Sequence, residues 1–342
     1  MVKGIINMKY SEIDAYCSDI KKTIEHSVDF SDFFNKKVLI LGASGLIGSF
    51  ITDCFLYANK MLNAEITIYA VSRNIEQLKR RFEGSSGNIF NLIEADVCSL
   101  SNKLSVDYII HAASYGHPQA FRETPVEVLL SNVLGTHKVL EIARQNIGCR
   151  VLYVSSGEVQ EQVEHLSVRA CYPIGKKAAE TLCISYQKEY GVNVVIARPC
   201  HTFGANVTEN DNRATAQFLK AAAKNMDIKM YSEGKQRRSF SYVADCVSGL
   251  LTILTRGVSG EVYGISSGEI CTVKVFADKC AAVGKCRVKI HLPDRLEKAE
   301  TSPICDQIVE NQGLKALGWQ PSFSIEEGIK KSVEIIRKVG DV

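Results

Sequence analysis

The sequence predicts an α/β protein, a Rossmann-type doubly wound parallel sheet with a smaller C-terminal substrate-binding lobe. Three observations predict it. From Lys37 onward short apolar runs alternate with helical stretches, and that alternation closes as a parallel sheet with helices on both faces. A glycine-rich turn, Gly42-Ala43-Ser44-Gly45-Leu46-Ile47-Gly48, joins the first run directly to the first helix. After Arg198 the regularity weakens and the connections lengthen, which marks the second lobe.

The elements follow in order. Ile13, Tyr16, Ile20 and Ile24 recur at helical intervals ahead of Phe30, Phe33 and Phe34, so residues 1–36 read as a helical extension that packs on the outside of the main domain. Val38 to Leu41 is a buried strand, Leu46 to Tyr57 a helix, and Ile66 to Val71 a second strand. Gln77 to Phe82 is helical, Ile89 to Ile93 a third strand and Tyr108 to His111 a fourth. The long helix Val126 to Ile147 leads to strand Val151 to Val154; the helix Tyr172 to Tyr190 leads to strand Asn193 to Ala197. Residues 37–198 thus form the dinucleotide-binding domain. Residues 199–342 form mainly the substrate lobe, with part returning to the sheet.

Composition bounds the function. At about 150 residues per domain, 342 residues make one large domain or two fused lobes. With 46% apolar and 23% charged residues the chain is globular. A net charge of +3 without a basic stripe excludes a nucleic-acid partner. The 12 cysteines lie scattered in apolar stretches and form no C-x-x-C pair, which predicts reduced core thiols and no metal site. The charged N-terminal residues, from Lys3 to Lys22, do not make a signal peptide. No run reaches the ~18 apolar residues of a membrane span. The expectation is a soluble cytoplasmic protein with no membrane partner.

The glycine loop is spaced for phosphate. Gly42 permits the tight turn, Gly45 lets the backbone approach a pyrophosphate, and Gly48 lets helix and strand pack closely. Ser44, Leu46 and Ile47 complete a helix start whose free N–H groups face the negative charge. At the end of the second strand an acidic residue would grip the adenosine ribose; Ser72-Arg73 stands there instead, and Arg73 suits a 2′-phosphate. The cofactor expected is NAD or NADP. Asp96-Val97, after the third strand, is the natural neighbour of the adenine.

Tyr172 and Lys176 stand four apart at the start of a helix, on one face. A phenol titrates near 10, and an ammonium at ~4–6 Å favours the phenolate by roughly one to three units. Ser156, at the end of the fifth strand, supplies a hydroxyl to share the substrate proton.

In this order, glycine loop, Ser155-Ser156, then Tyr172-x-x-x-Lys176, the chain resembles the extended short-chain dehydrogenase/reductase superfamily, in its nucleotide-sugar epimerase/dehydratase/decarboxylase branch. The likeness runs from about Lys37 to Trp319. It includes His111-Ala112-Ala113-Ser114, Asn132-x-x-Gly135-Thr136, the segment Arg198 to Gly204, Asp211-Asn212-Arg213, the segment Arg238 to Asp245, and Leu317 to Pro321. The resemblance implies a tightly held NAD(P) that oxidises carbon 4 of a nucleotide-linked hexose and often returns the hydride. It implies Tyr172 as base, Lys176 as its electrostatic helper and ribose ligand, and Ser156 as hydroxyl partner. Ala112 and Ala113 would line the cofactor, and Ser114 and Asn132 the sugar. Arg213 and Arg238 would face the diphosphate, for which arginine forks are suited. His201 stands where the branch usually has an Asn that approaches the substrate, so it either takes over that substrate contact or is a satisfied buried histidine; Gln160 stands where many members have Tyr, ahead of a short loop from Glu161 to Ser167.

Ser155-Ser156-Gly157-Glu158-Val159 narrows the chemistry. The 4,6-dehydratases of this branch carry an Asp-Glu pair after the hydroxyl residue, one carboxyl to expel the carbon 6 hydroxyl and one to abstract the carbon 5 proton. Here Gly157 replaces the Asp and Glu158 remains. UDP-glucuronate decarboxylases show a small residue and then Glu, and their Cys-Tyr-x-x-Gly-Lys matches Cys171 to Lys176. Decarboxylation of UDP-glucuronate to a UDP-xylose-type product is therefore expected, with 4,6-dehydration or epimerisation as alternatives and an NADPH-dependent keto-sugar reductase as the reading from another class. The branch also implies a homodimer built on helices Val126–Ile147 and Tyr172–Tyr190. Val128, Val139, Leu140, Ile142, Ala178, Leu182 and Ile184 are its expected apolar contacts.

Overall fold

The computed structural model describes residues 8–85, 87–101, 103–160, 167–208, 211–292 and 306–340. The loop reading for residues 161–166, the first seven residues and Cys305 lie outside the described residues. Helix α1 (Asp14–Glu25) precedes β1 (Lys37–Leu41), α2 (Leu46–Leu62), β2 (Thr67–Ser72), α3 (Ile75–Arg81), β3 (Phe90–Glu94) and β4 (Tyr108–His111). Then come α4 (Pro118–Glu123), α5 (Pro125–Gln145), β5 (Arg150–Val154), α6 (Cys171–Tyr190) and β6 (Asn193–Pro199). The remainder is β7 (His201–Phe203), α7 (Ala214–Ala223), β8 (Ile228–Met230), β9 (Arg237–Tyr242), α8 (Val243–Arg256) and β10 (Val262–Ile265). It continues with β11 (Ile270–Thr272), α9 (Val273–Gly284), β12 (Val288–Ile290), α10 (Gln312–Ala316) and α11 (Ile325–Val339).

Among the described residues β10-β6-β5-β4-β1-β2-β3 form one sheet of seven strands, every pair parallel. Alternate residues of each strand enter different cores. Val38, Ile40, Ile68, Ile110 and Leu152 pack with Phe50, Phe55 and Leu250 of α2 and α8. Leu39, Leu41, Ile109, Val151 and Ile196 pack with Val139, Leu140, Ala179 and Cys183 of α5 and α6. Burial on both faces explains why β1 reads as an unbroken apolar run. Strand order reverses direction between β1 and β4, and that switch point is where the first turn opens.

Element ends shift from the sequence reading for local reasons. Helix α2 runs on to Leu62, where Asn63 takes the left-handed cap with φ 51°. Helix α3 starts at Ile75 because the Asn74 side chain accepts from Gln77 N at its N-terminus. The lobe after residue 199 contains β11-β9-β7 and the pair β12-β8, with α7, α9 and α11 around them. Strand β10 pairs with β6, so this segment also completes the large sheet.

Two expectations are corrected. Val128, Val139, Leu140 and Ile142 are fully buried inside the subunit and offer nothing to a partner chain. The exposed apolar residues of these helices include Val126, Leu129, Leu130, Leu134, Ile174, Ile184 and Tyr190. The N-terminal extension is also more than outer packing. Tyr16 donates to Asp53 on α2 at 2.6 Å, and Arg81 of α3 pairs with the same carboxylate while lying 4.1 Å over the Tyr10 ring. Deeper in, buried Asp19 accepts from Tyr242 Oη at 2.7 Å and pairs with Lys331 of α11 at 2.7 Å. Helix α1 is therefore bonded to both lobes.

Candidate active site

The carboxyl ends of β1, β2, β4 and β5 converge on one crevice. Gly42 bends there with φ +83°, and a Cβ on it would sit 2.8 Å from the Ala112 carbonyl oxygen at the end of β4. Only glycine gives both the conformation and the approach. Gly45, the residue ahead of α2, is different: an added Cβ would meet only the Gly42 carbonyl, at 3.5 Å, so its outer side faces open space. A backbone shelf beside the free N–H groups of a long helix fits a dinucleotide diphosphate. Beside it Ser44 and Ser72 share a hydrogen bond of 3.0 Å, and Asp96 caps the turn Val97–Ser99 by accepting from Cys98 N at 2.8 Å. Arg73 is exposed, and its guanidinium lies 4.2 Å over the Tyr115 ring. Tyr115 in turn donates to Glu127 at 3.2 Å.

Deeper in the crevice the polar groups are buried. Lys176 is 2% exposed and donates from Nζ to the Val154 carbonyl at 2.8 Å. Burial pushes its pKa down to about 7. His111 Nε2 meets Thr136 at 3.2 Å, while His111 Nδ1 and Ser155 Oγ are buried without a partner among the described residues. Such orphaned groups fit a bound polar ligand. Ser114 donates to Asn132 Oδ1 at 3.0 Å, and Asn132 donates to the Val128 carbonyl at 2.7 Å. That anchors the loop after β4 to α5.

Tyr172 lies in the first turn of α6, stacked on Phe121 at 4.8 Å. Its phenol is pushed up to about 12, by burial first and by the Glu158 charge second, with the Ser156 hydrogen bond acting the other way. This reverses the sequence expectation. Desolvation of the phenol outweighs the lowering by Arg213 and Arg169, and Lys176 donates to a backbone carbonyl. Ser156 Oγ accepts from Glu158 N at 3.1 Å, which fixes the turn that carries both side chains.

Arginines crowd the far side. Arg213 grips Asp211 through Nε and Nη2, so its fork is engaged, and its charge acts on Tyr172 and His201. Arg238, 3% exposed, donates to the Arg237 carbonyl at 2.9 Å. His201 lies 5.9 Å from Phe240, and burial, then Arg238 and Arg213, push its pKa down to about 3.

Two features were not legible in the sequence. Arg169, three residues ahead of Tyr172, donates to Glu158 at 2.6 Å and lies 4.6 Å over Phe121. Gly157 faces a wall: a Cβ there would come 2.6 Å from Val309 Cγ2 and 3.4 Å from Gln307. No side chain fits at 157 unless the strand-end turn or residues 307–309 move. Among the described residues there is no His/Cys/Asp/Glu cluster able to hold a metal, and no helix long and apolar enough to cross a membrane.

Known proteins resemble the chain over most of its length. The chain is similar to UDP-glucuronic acid decarboxylase 1 of Danio rerio, 31% identical over 313 residues that cover 87% of this chain and 72% of that protein. It is similar to UDP-glucuronic acid decarboxylase 6 of Arabidopsis thaliana, 29% identical over 330 residues, 90% of this chain and 91% of that one. Its fold matches the UDP-glucuronic acid 4-epimerase from Bacillus cereus, solved with UDP-glucuronic acid and NAD. The TM-score is 0.76 at 18% identity, over 89% of this chain and 100% of that one. The family model for the NAD dependent epimerase/dehydratase family matches residues 38–266. Those residues span the phosphate shelf, the Ser156–Tyr172–Lys176 cluster and every strand of the large sheet, and the chain belongs to that family.

Proposed function

We propose that the chain converts UDP-glucuronate to a UDP-pentose with loss of carbon dioxide, using a retained NAD. The observation that carries this reading is the wall against Gly157. Dehydration by the branch's usual device needs a carboxylate at that position beside Glu158; this chain has Gly157 there, and a side chain would enter only if Val309 gave way. With one carboxylate at carbons 5 and 6, elimination of water lacks either its acid or its base. Decarboxylation lacks nothing, because a 4-ketone makes the sugar carboxylate a β-keto acid. The names of the relatives point the same way.

Tyr172 accepts the proton of the carbon 4 hydroxyl, and Ser156 orients that hydroxyl. The chemistry supplied by bound NAD is reversible oxidation of the same carbon. Lys176, once its carbonyl bond is exchanged for a ligand hydroxyl, holds the phenolate and the cofactor ribose. The bond from carbon 5 to the carboxyl carbon then breaks, carbon dioxide leaves, and carbon 5 takes a proton. With the reverse reduction at carbon 4 that bound NAD would supply, Tyr172 would return its proton at oxygen 4, so the hydride and proton taken at the start are both restored and the cycle is redox neutral. Arg238 suits the diphosphate. Arg73, seated on Tyr115, supports NAD over NADP, since a 2′-phosphate would have to draw it off the ring.

The exposed stripe Val126, Leu130 and Leu134 on α5, beside Ile174 and Ala178 on α6, supports a homodimer through these helices. The described cysteines are free thiols, which supports a reducing compartment, the cytoplasm. The test of the reaction is product mass after incubation with UDP-glucuronate. Loss of 44 mass units, about one carbon dioxide, is expected from the β-keto acid chemistry. Unchanged mass with a new configuration means an epimerase. Loss of water from a neutral UDP-hexose means a dehydratase, and NADPH consumed one for one means a reductase.

A further inference from the structure

We infer that Arg169 is the residue that selects a sugar bearing a carboxylate at carbon 6. The inference rests on the nucleotide-sugar reading above and adds the group that tells a uronate from a neutral hexose. Arg169 sits in the turn Val168–Ala170, immediately before the helix that carries Tyr172. Its guanidinium is sandwiched into the site by two contacts: 2.6 Å from Nη2 to Glu158, and 4.6 Å over the ring of Phe121, which itself stacks on Tyr172. Arg169 is thus one ring away from the phenol, and its charge is among those that act on Tyr172.

The decisive detail is the other half of the fork. Nη1 of Arg169 is buried and meets no acceptor among the described residues. A buried guanidinium donor left without an acceptor is costly, and native sites leave one where a ligand completes it. Arg213 cannot play this part as readily, because its Nε and Nη2 are already spent on Asp211. Arg238 is bonded to the Arg237 carbonyl at the start of β9. The substrate's carbon 6 is two bonds from the carbon whose hydroxyl Tyr172 deprotonates, so a carboxylate there lies within reach of a cation next to that ring. Planar bidentate recognition of carboxylate is what a guanidinium does best.

Glu158 has a matching role. Alone it would repel the substrate's carboxylate, whereas paired with Arg169 it is neutralised. By holding Nη2 it also keeps the grip on the incoming carboxylate partial. A partial grip matters because a fully ion-paired carboxylate is stabilised as a carboxylate and resists leaving as neutral carbon dioxide. Arg169 is accordingly a specificity residue, and its loss is read in binding of uronates over neutral sugars.

The test uses NAD-loaded enzyme and calorimetric titration with UDP, UDP-glucose and UDP-glucuronate. Wild type is expected to bind UDP-glucuronate at least tenfold more tightly than UDP-glucose. R169M should lose that preference, with UDP and UDP-glucose affinities within twofold of wild type, and R169K should keep part of it. Because R169M strands Glu158 in a partly buried site, R169M/E158Q is measured beside it and should show the same lost preference with wild-type thermal stability. Equal weakening of all three ligands in both variants makes Arg169 a structural ion-pair partner and overturns the proposal. An unchanged preference in R169M/E158Q overturns it as well. Wild type that binds none of the three, UDP included, instead overturns the nucleotide-sugar reading beneath it.

Discussion

Tyr172 begins from an unfavourable position for a base, a phenol pushed up to about 12 by burial and by Glu158. Tyr172→Phe keeps the stack on Phe121 and deletes only the proton carrier. Turnover should vanish while stability falls by about 1 kcal/mol or less, the worth of one hydrogen bond; steady-state assay beside a urea melt checks both. Since the Glu158 charge raises the phenol's pKa, Glu158→Gln should lower it and move the acidic limb of the kcat–pH profile toward lower pH. An acidic limb that moves the other way rules out the electrostatic coupling. Lys176 gives a stability signature. Its folded pKa of about 7 lies below its ordinary 10.5, so between those values the unfolded chain binds more protons than the folded one. Stability of cofactor-stripped protein should therefore rise with pH across that window, by up to ~1.4 kcal/mol per unit from this group. Urea melts of Lys176→Met at several pH values between about 7 and 10 should show that rise flattened. The reactive residues themselves were legible as residue types in order. Arg169 was not, because its meaning lies in contacts with Glu158 and Phe121, which stand 11 and 48 positions away in the chain. The sign of the Tyr172 shift was illegible for the same reason, since burial is a property of the packed site.

At the scale of elements the alternation of strand and helix was readable as far as β6 because parallel strands covered on both faces must be apolar throughout. The lobe beyond it was readable only as a loss of regularity. Strands β7, β8, β11 and β12 have three residues each, too few for any period to show. Helix pairs carry the next prediction. The sequence offered many apolar positions on α5 and α6 without saying which face inward, and the structure assigns Val128, Val139, Leu140 and Ile142 to the subunit's own core. Leu130 and Leu134 are left on the open face. Leu134→Glu should convert a dimer to a monomer with little loss of monomer stability, whereas Val139→Glu should unfold the chain. Light scattering with a thermal melt separates the two outcomes. A Leu134→Glu protein still dimeric at micromolar concentration places the interface elsewhere.

At the scale of the whole molecule, helix α1 is one of the ties between the two lobes. Asp19 on α1 accepts from Tyr242, in the lobe sheet, and pairs with Lys331, on the last helix. Asp19→Ala leaves that phenol and that ammonium without their acceptor. Lys331 is partly exposed and can turn to water, so the expected cost is about 2 kcal/mol, below that of a fully buried pair. Differential scanning calorimetry should show the melting temperature lowered by several degrees in one transition, since α1 ties the two lobes into a single unit.

That tie also orders events in time. A ribosome delivers α1 long before the partners of its Asp19, because Tyr242 and Lys331 follow far along the chain. At roughly 5–20 residues per second, the last of them emerges about 15–60 s after the helix does. For that interval α1 has its bonds to Asp53 and Arg81 within reach, while Asp19 lacks both of its partners. The tie between the lobes is therefore among the last contacts of this chain to form, after α11 has emerged to close over α1.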